Sequence, residues 1–181
     1  MLQTVFRQAM PMPRTTTLRR EVIRFLVELG YDSTAYLPSD GEPRLSPTER
    51  KLIDRLLDEI PALAVAAALA DGETLISGAA ELRVKEVDRL AALAGELVKL
   101  GVRLTEAPDG LRIAGGGQLK AAVVSSRGDH RMAMGLAIAG LFAKGETRVQ
   151  DVACVETSFP GFARLLAEAA PGCDIREVTE A

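Results

Sequence analysis

The sequence predicts an α/β fold built from repeated units, because helix and strand signals alternate and the pattern recurs at a fixed interval. Glycines that close predicted helices occur at Gly30, Gly101 and Gly172, each 71 residues from the next. The Gly-Glu-Thr sequence at 72–74 returns at 145–147, a spacing of 73 residues. Each unit is predicted to read helix, strand, helix and then two or more strands, with approximate bounds 1–30 (partial), 31–101 and 102–181.

The first predicted elements are a strand over 2–6 and an amphipathic helix that ends at Gly30 and is capped by a threonine at 15–17. A loop is predicted over 38–47, and Ser46 opens a capping box with Glu49. The helix that the repeat requires before the first strand is missing. We therefore expect the chain to be a piece of something longer.

Two more pairs of helices are predicted in the later units. An Ala/Leu-rich helix is expected over 61–70 and another over 132–142. The helix that ends at Gly101 has an apolar stripe at i, i+3, i+7 spacing, formed by Leu90, Leu93, Leu97 and Leu100. A last helix is expected to start near Ser158 as its N-cap and to point three side chains inward, namely Phe162, Leu165 and Leu166.

Short strands are predicted between these helices. Residues 147–152 alternate in polarity, and 121–124 form a small apolar segment. Leu104 and residues 111–113 flank an Ala-Pro-Asp-Gly turn at 107–110, which predicts a hairpin.

Composition excludes several classes of function. The net charge is −3 and no basic stripe with interleaved aromatics is present, which argues against a nucleic-acid partner. Cys154, Cys173 and one histidine are too few for a zinc site or a disulfide framework, so both cysteines are expected to be reduced. The longest apolar run, 60–70, is too short to span a bilayer, and no signal peptide is visible. We expect a cytoplasmic protein without membrane contact.

Two charged segments indicate the chemistry. Arg-Val-Lys-Glu-Val-Asp-Arg at 83–89 and Asp-His-Arg-Met-Ala-Met at 129–134 each place cations and a carboxylate within about one helical turn. Each leads into a largely apolar helix, and Arg131 lies at a predicted helix N-terminus, where anions are favoured. Such clusters suit a small ligand that carries both phosphate and carboxylate.

Together with Asp-Glu-Ile-Pro at 58–61 and Thr-Ser-Phe-Pro-Gly-Phe at 157–162, these motifs resemble the 5-enolpyruvylshikimate-3-phosphate (EPSP) synthase family, in the family's order. The resemblance covers about 56–166 and is weaker before that. It implies a lobe of repeated βαβαββ units around a pseudo-threefold axis, an inside-out α/β barrel whose first unit is truncated here. The chain resembles the C-terminal one of two lobes, between which the family's active site lies.

The family moves the enolpyruvyl group of phosphoenolpyruvate to the 5-hydroxyl of shikimate 3-phosphate, by addition and elimination, in the shikimate pathway of aromatic amino acid biosynthesis. It uses no metal or organic cofactor. The resemblance implies that Asp58 accepts a proton from the hydroxyl and that Glu86 exchanges protons at the methylene carbon. It assigns substrate binding to four residues, namely Lys85, Arg89, His130 and Arg131.

Other interpretations of these residues remain. Without the resemblance, Asp58 reads as a cap ahead of Pro61, with Asp54 as a nearby alternative carboxylate. Glu86 and its neighbours read as a solvated first turn. A lone histidine is usually structural, and Asp129 is more easily a cap than a catalyst.

The chain also departs from the family pattern. Val87 replaces a Ser or Thr, and Glu156 stands where some members carry a lysine. Motifs of the other lobe are missing, so we expect negligible turnover by the chain alone and either a complementing N-terminal lobe or self-association. The alternative is a non-catalytic anion-binding or vestigial module of the same fold. The related transferase that acts on UDP-N-acetylglucosamine is disfavoured, because its motifs do not match these segments.

Overall fold

The computed structural model describes residues 2–8 and 56–179. The predicted helix that ends at Gly30, the loop over 38–47, the capping box at Ser46 and the alternative carboxylate Asp54 lie outside the described residues. The strands are β1 (Leu2–Gln8), β2 (Glu73–Ile76), β3 (Arg103–Ala107), β4 (Gly110–Ala114), β5 (Val123–Ser125), β6 (Glu146–Gln150) and β7 (Cys173–Thr179). The α-helices are α1 (Ile60–Leu69), α2 (Arg89–Lys99), α3 (His130–Phe142), α4 (Cys154–Ser158) and α5 (Phe162–Ala169), and a 3-10 helix spans Ala80–Val84.

The strands form two sheets. One has four strands in the order β5-β6-β1-β7, with β5 and β6 parallel and the other pairs antiparallel. The other is antiparallel, in the order β2-β4-β3. The N-terminal strand β1 therefore lies between two strands of the last predicted unit, where Gln3 pairs with Gln150 on one side and Val178 on the other.

The predicted hairpin is present as β3 and β4. Ala107 pairs with Gly110, so Pro108 and Asp109 form a two-residue turn. A Cβ atom at Gly110 would lie 1.9 Å from the carbonyl oxygen of Ile76, which explains why glycine occupies this position.

The core lies around α1, α2 and α3. The predicted stripe of α2 is confirmed, since Leu90, Leu93 and Leu97 are at most 1% exposed. Near their N-terminal ends α1 and α3 approach closely, because a Cβ atom built at Gly135 of α3 would lie only 3.3 Å from Pro61 of α1. This approach brings the residues that precede the two helices together.

The last predicted helix begins later than expected. Ser158 is the final residue of α4 rather than an N-cap, and α5 follows Gly161, which has a φ of +77°. Pro160 disfavours helical geometry in the residue before it, so α4 ends there. Leu165 is 40% exposed rather than inward. Within residues 56–179, no helix is long and apolar enough to cross a membrane.

Candidate active site

Arg89 is the centre of the charged cluster. Its side chain is 2% exposed, and three carboxylates accept hydrogen bonds from its N–H groups. Nε donates to Oδ2 of Asp129 at 2.6 Å, Nη1 to Oδ1 of Asp58 at 2.8 Å and Nη2 to Oε2 of Glu86 at 2.7 Å. Burial alone would lower the pKa of Arg89, but the hydrogen bond and the charge of Asp129 outweigh it and raise the pKa. Arg89 therefore stays charged in the interior.

The start of α2 fixes the place of Arg89. Asp88 is the N-cap, and its Oδ1 accepts the backbone N–H of Ala91 at 3.0 Å. Burial alone would raise the pKa of Asp88. The hydrogen bond from the backbone of Ala91 and a second one from the side chain of Arg83 outweigh burial and lower the pKa. Arg89 is thus held as the first helical residue, with its side chain directed into the cluster.

Arg83 links the segment before α2 to the β3–β4 hairpin through hydrogen bonds. Its Nη1 donates to Oδ2 of Asp88 at 2.9 Å, and its Nε donates to the carbonyl of Pro108 at 2.7 Å. Nη2 donates to the carbonyl of Ala107 at 2.7 Å and lies 2.9 Å from Oε1 of Glu106. The segment that carries Lys85 and Glu86 is consequently anchored at Arg83 on one side and Asp88 on the other.

Asp129 joins two helices. It is fully buried, and its Oδ1 accepts the backbone N–H groups of Arg131 at 2.8 Å and Met132 at 3.1 Å, so it caps α3 as the sequence indicated. Its second oxygen receives Arg89, a contact that sequence reasoning did not find. The signal was present in the two charged motifs, but their pairing depends on the tertiary fold.

Asp58 lies between two cations, at the end of helical residues 56–58 and two residues before α1 begins. It is 30% exposed, and its Oδ1 is 2.8 Å from Arg89 and 3.8 Å from Nζ of Lys85. Lys85 also pairs with Glu81 at 3.0 Å, and this hydrogen bond raises the pKa of Lys85. Glu86 is 50% exposed and uses one oxygen for Arg89. The carboxylates with predicted catalytic roles thus share one arginine.

Arg131 lies in the first turn of α3, and its side chain is 30% exposed. Its Nη1 pairs with Oε1 of Glu59, which is 55% exposed. Glu59 belongs to the Asp-Glu-Ile-Pro motif, but sequence reasoning gave it no role. His130 is the half-buried first residue of α3, and among the described residues neither a hydrogen bond nor an ion pair joins its ring to another side chain.

The structure places all six predicted site residues at the N-terminal ends of three helices. Asp58 precedes α1, Lys85, Glu86 and Arg89 lie at the start of α2, and the other two begin α3. Helix N-termini carry unpaired backbone N–H groups and a partial positive charge, which stabilise bound anions.

The two departures from the family pattern lie in different surroundings. Val87 is partly buried and packs against the hydrophobic core, so its side chain contributes to packing. Glu156 is exposed on α4 and lines a shallow depression with Ala133, Val152 and Phe162.

Comparison with known proteins decides the family. The model of the family EPSP synthase (3-phosphoshikimate 1-carboxyvinyltransferase) matches residues 32–166. The chain belongs to this family. The resemblance drawn from the four motifs is thereby confirmed.

Several members of the EPSP synthase family are similar to the chain. A 3-phosphoshikimate 1-carboxyvinyltransferase from Pelotomaculum thermopropionicum is 57% identical over 118 residues, which are 65% of this chain and 27% of the relative. One from Desulforudis audaxviator is 58% identical over 118 residues, or 65% and 28% of the two chains. By sequence, the chain spans little more than a quarter of the length of these relatives.

A solved structure of EPSP synthase from Acinetobacter baumannii extends the likeness to the fold. It has a TM-score of 0.66 and 31% identity, and the match covers 96% of this chain and 43% of that one. The predicted α/β fold of the EPSP synthases is therefore confirmed. The pseudo-threefold axis, the unit bounds and the truncated first unit remain predictions.

Proposed function

We propose that this chain supplies the phosphoenolpyruvate side of a 3-phosphoshikimate 1-carboxyvinyltransferase, the enzyme that moves an enolpyruvyl group to the 5-hydroxyl of shikimate 3-phosphate. The observation that carries the proposal is the position of Arg89, which joins Asp58, Glu86 and Asp129 where three helices begin. The reaction belongs to aromatic amino acid biosynthesis, and the predicted compartment is the cytoplasm.

Asp58 and Glu86 have separate roles in this proposal. The hydroxyl oxygen attacks the central carbon of phosphoenolpyruvate while its proton passes to Asp58, and Glu86, which must first take up a proton, delivers it to the methylene carbon. The resulting tetrahedral intermediate loses phosphate when the carbon–oxygen bond to phosphate breaks, and the proton held by Asp58 passes to the departing phosphate, which restores the Asp58 carboxylate. Glu86 then removes a proton from the methyl group, and the double bond forms again. Its 50% exposure leaves one carboxylate oxygen accessible for both transfers.

The cations hold the anionic groups of phosphoenolpyruvate. Arg131 and Lys85 are 30% and 22% exposed, so both can reach a ligand. Arg89 has five N–H donors, of which three are engaged, but its side chain is only 2% exposed, so its main part in this proposal is to hold Asp58 and Glu86 in place. His130 contributes from the first position of α3, beside Arg131; the next two backbone N–H groups of that helix are already taken by Asp129.

Shikimate 3-phosphate requires a second surface. We infer that it is supplied by a complementing N-terminal lobe or by self-association, because the chain spans only 27% of a relative with this activity. Correct placement of two reactants contributes several kcal/mol to catalysis. The chain alone should therefore show negligible turnover.

A non-catalytic anion-binding or vestigial module is the second candidate. One observation favours it: the ion pairs of the site involve five carboxylates and only three cations, which is an unfavourable balance for binding an anion. The replaced side chains at Val87 and Glu156 point the same way.

The test is a calorimetric titration of the chain with phosphoenolpyruvate, alone and with shikimate 3-phosphate. Arg131→Ala should abolish binding, whereas Arg164→Ala, an exposed arginine on α5 that pairs with Glu168, should not change it. Addition of the N-terminal lobe of the Pelotomaculum relative should then give release of phosphate. Binding without turnover in the mixture favours the module. A folded chain that binds nothing and remains inactive in the mixture contradicts the enzyme proposal.

A further inference from the structure

Two adjacent carboxylates in the Asp-Glu-Ile-Pro segment hold different arginines. Asp58 pairs with Arg89, and Glu59 pairs with Arg131. Glu59 occupies the N-cap position of α1, but its side chain makes no capping hydrogen bond. The carboxylate of Glu59 is therefore directed to Arg131 rather than to its own helix.

The charges around these arginines do not favour an anion. The site holds three cations and five carboxylates, so its formal charge is −2. Lys85 and Arg89 are ion-paired with four of the carboxylates, whereas Arg131 and Glu59 form a separate neutral pair. The cations are Lys85, Arg89 and Arg131, and the carboxylates are Asp58, Glu59, Glu81, Glu86 and Asp129. An anion that binds here must displace a carboxylate or be repelled by it.

Glu59 is the carboxylate best placed to be displaced. Asp129 is fully buried and is held by two backbone N–H groups as well as by Arg89. Glu59 is 55% exposed, and its carboxylate pairs with Arg131, which is itself 30% exposed. Ion pairs with this exposure are weak in water, since both groups are readily hydrated.

We propose that Glu59 is an internal counter-ion that competes with anionic ligands for Arg131 and so sets the affinity of the site for phosphate groups. The proposal rests on the proposed function, because it assumes that Arg131 receives the phosphate or carboxylate of phosphoenolpyruvate. An incoming anion replaces the Glu59 carboxylate on the guanidinium, and the released carboxylate turns to solvent. Glu59 thereby acts as a specificity-determining residue without contacting the reacting atoms.

A purely structural role for Glu59 gives a different expectation. An acidic residue at a helix N-terminus interacts favourably with the helix dipole, so its neutralisation would alter the stability of α1. It would not alter the affinity for phosphate. Measurements of stability and of affinity on the same variants separate the two roles.

The experiment compares Glu59→Gln, Arg131→Ala, their combination and a matched control, Glu168→Gln, which neutralises an exposed glutamate paired with Arg164 on α5. Inorganic phosphate and phosphoenolpyruvate are the probes, titrated by calorimetry into the full chain. Glu59→Gln should bind both anions about five- to tenfold more tightly than the unmodified chain, because a competing partner and a repulsive charge are both removed. The control should bind like the unmodified chain, and the combined variant no better than Arg131→Ala.

Salt supplies a second measurement. The gain in Glu59→Gln should shrink as KCl rises from about 0.02 M to about 0.3 M, since exposed charges are screened over a shorter distance. The free energy of unfolding in urea should be the same for Glu59→Gln as for the control Glu168→Gln.

Unchanged or weaker anion affinity in Glu59→Gln overturns the proposal, and so does a gain that persists when Arg131 is removed. Failure to bind in both the unmodified chain and Glu59→Gln also overturns it, because a freed Arg131 must then bind. The proposed enzymatic function fails separately. If Glu59→Gln binds phosphate more tightly but a mixture of the chain with an N-terminal lobe releases no phosphate, the enzymatic function is refuted while the role of Glu59 is supported.

Discussion

Replacement of Arg89 should cost more stability than replacement of an exposed arginine. In Arg89→Met, the fully buried Asp129 loses its cation and retains only two backbone N–H groups. A buried charge left without its partner costs about 3–5 kcal/mol. Asp58 and Glu86 are 30% and 50% exposed, so water can replace their contacts with Arg89, and each adds at most about 1 kcal/mol. The free energy of unfolding should therefore fall by about 3–7 kcal/mol, a large part of the about 5–15 kcal/mol of an ordinary domain.

The assay is urea unfolding followed by circular dichroism. Arg112→Met is the control, because Arg112 is 53% exposed and its ion pair with Glu73 should contribute at most about 1 kcal/mol. Combining Arg89→Met with Asp129→Asn should cost about 1–3 kcal/mol less than the sum of the single losses, because the charges disappear together and asparagine still caps α3. A loss below about 1 kcal/mol for Arg89→Met, or strict additivity in the double variant, would refute the reasoning.

Three further predictions concern packing, pH and thiol reactivity. Gly115→Ala should lower the free energy of unfolding by about 1–3 kcal/mol, because its Cβ would lie 2.0 and 2.2 Å from carbonyl oxygens near the end of α1. The control Gly117→Ala has open space around its Cβ and should change the free energy of unfolding by less than about 1 kcal/mol in either direction. Equal losses in the two variants would contradict this reasoning. Asp88→Ala should lose about 1 kcal/mol near neutral pH. Because the pKa of Asp88 is lowered on folding, the stability difference between the unmodified chain and Asp88→Ala has its full size above the unfolded pKa of about 3.9 and shrinks as the pH falls through the folded pKa. Unfolding midpoints of the two proteins that differ by the same amount at every pH would contradict this prediction. Burial raises the pKa of Cys154, so in a Cys173→Ser background its alkylation by iodoacetamide near neutral pH should be slower than that of glutathione, and an equal or faster rate would count against the assignment.

Elements with a regular apolar period could be predicted from the sequence. The stripe at Leu90, Leu93 and Leu97 marks the buried side of α2 because these positions share one face of a helix. The β3–β4 hairpin follows equally from its Pro-Asp-Gly turn, which is a local signal. In both cases residues close in the sequence determine the structure.

Contacts between distant segments could not be predicted in this way. The pairing of Gln3 with Gln150 and Val178 joins the two ends of the chain, and strand signals alone do not specify partners. Likewise, helical spacing accounts for Glu86 beside Arg89, but Asp129 reaches Arg89 only because α2 and α3 begin at the same place. The motifs therefore indicated residues that lie close together in the fold, but not which carboxylate holds which cation.

The helix termini make this crowding of carboxylates tolerable. The N-terminus of an α-helix carries roughly half a positive charge, so α1, α2 and α3 all contribute positive partial charge where they begin. This offsets part of the formal charge of −2 of the ion-paired side chains, although helical residues 56–58 end at Asp58 and contribute partial charge of the opposite sign. A site balanced in this way has little positive charge left for a ligand with several negative charges. Under the proposed function, the missing attraction comes either from cations on a second surface or from release of Glu59, and we therefore expect the chain alone to bind its anion weakly.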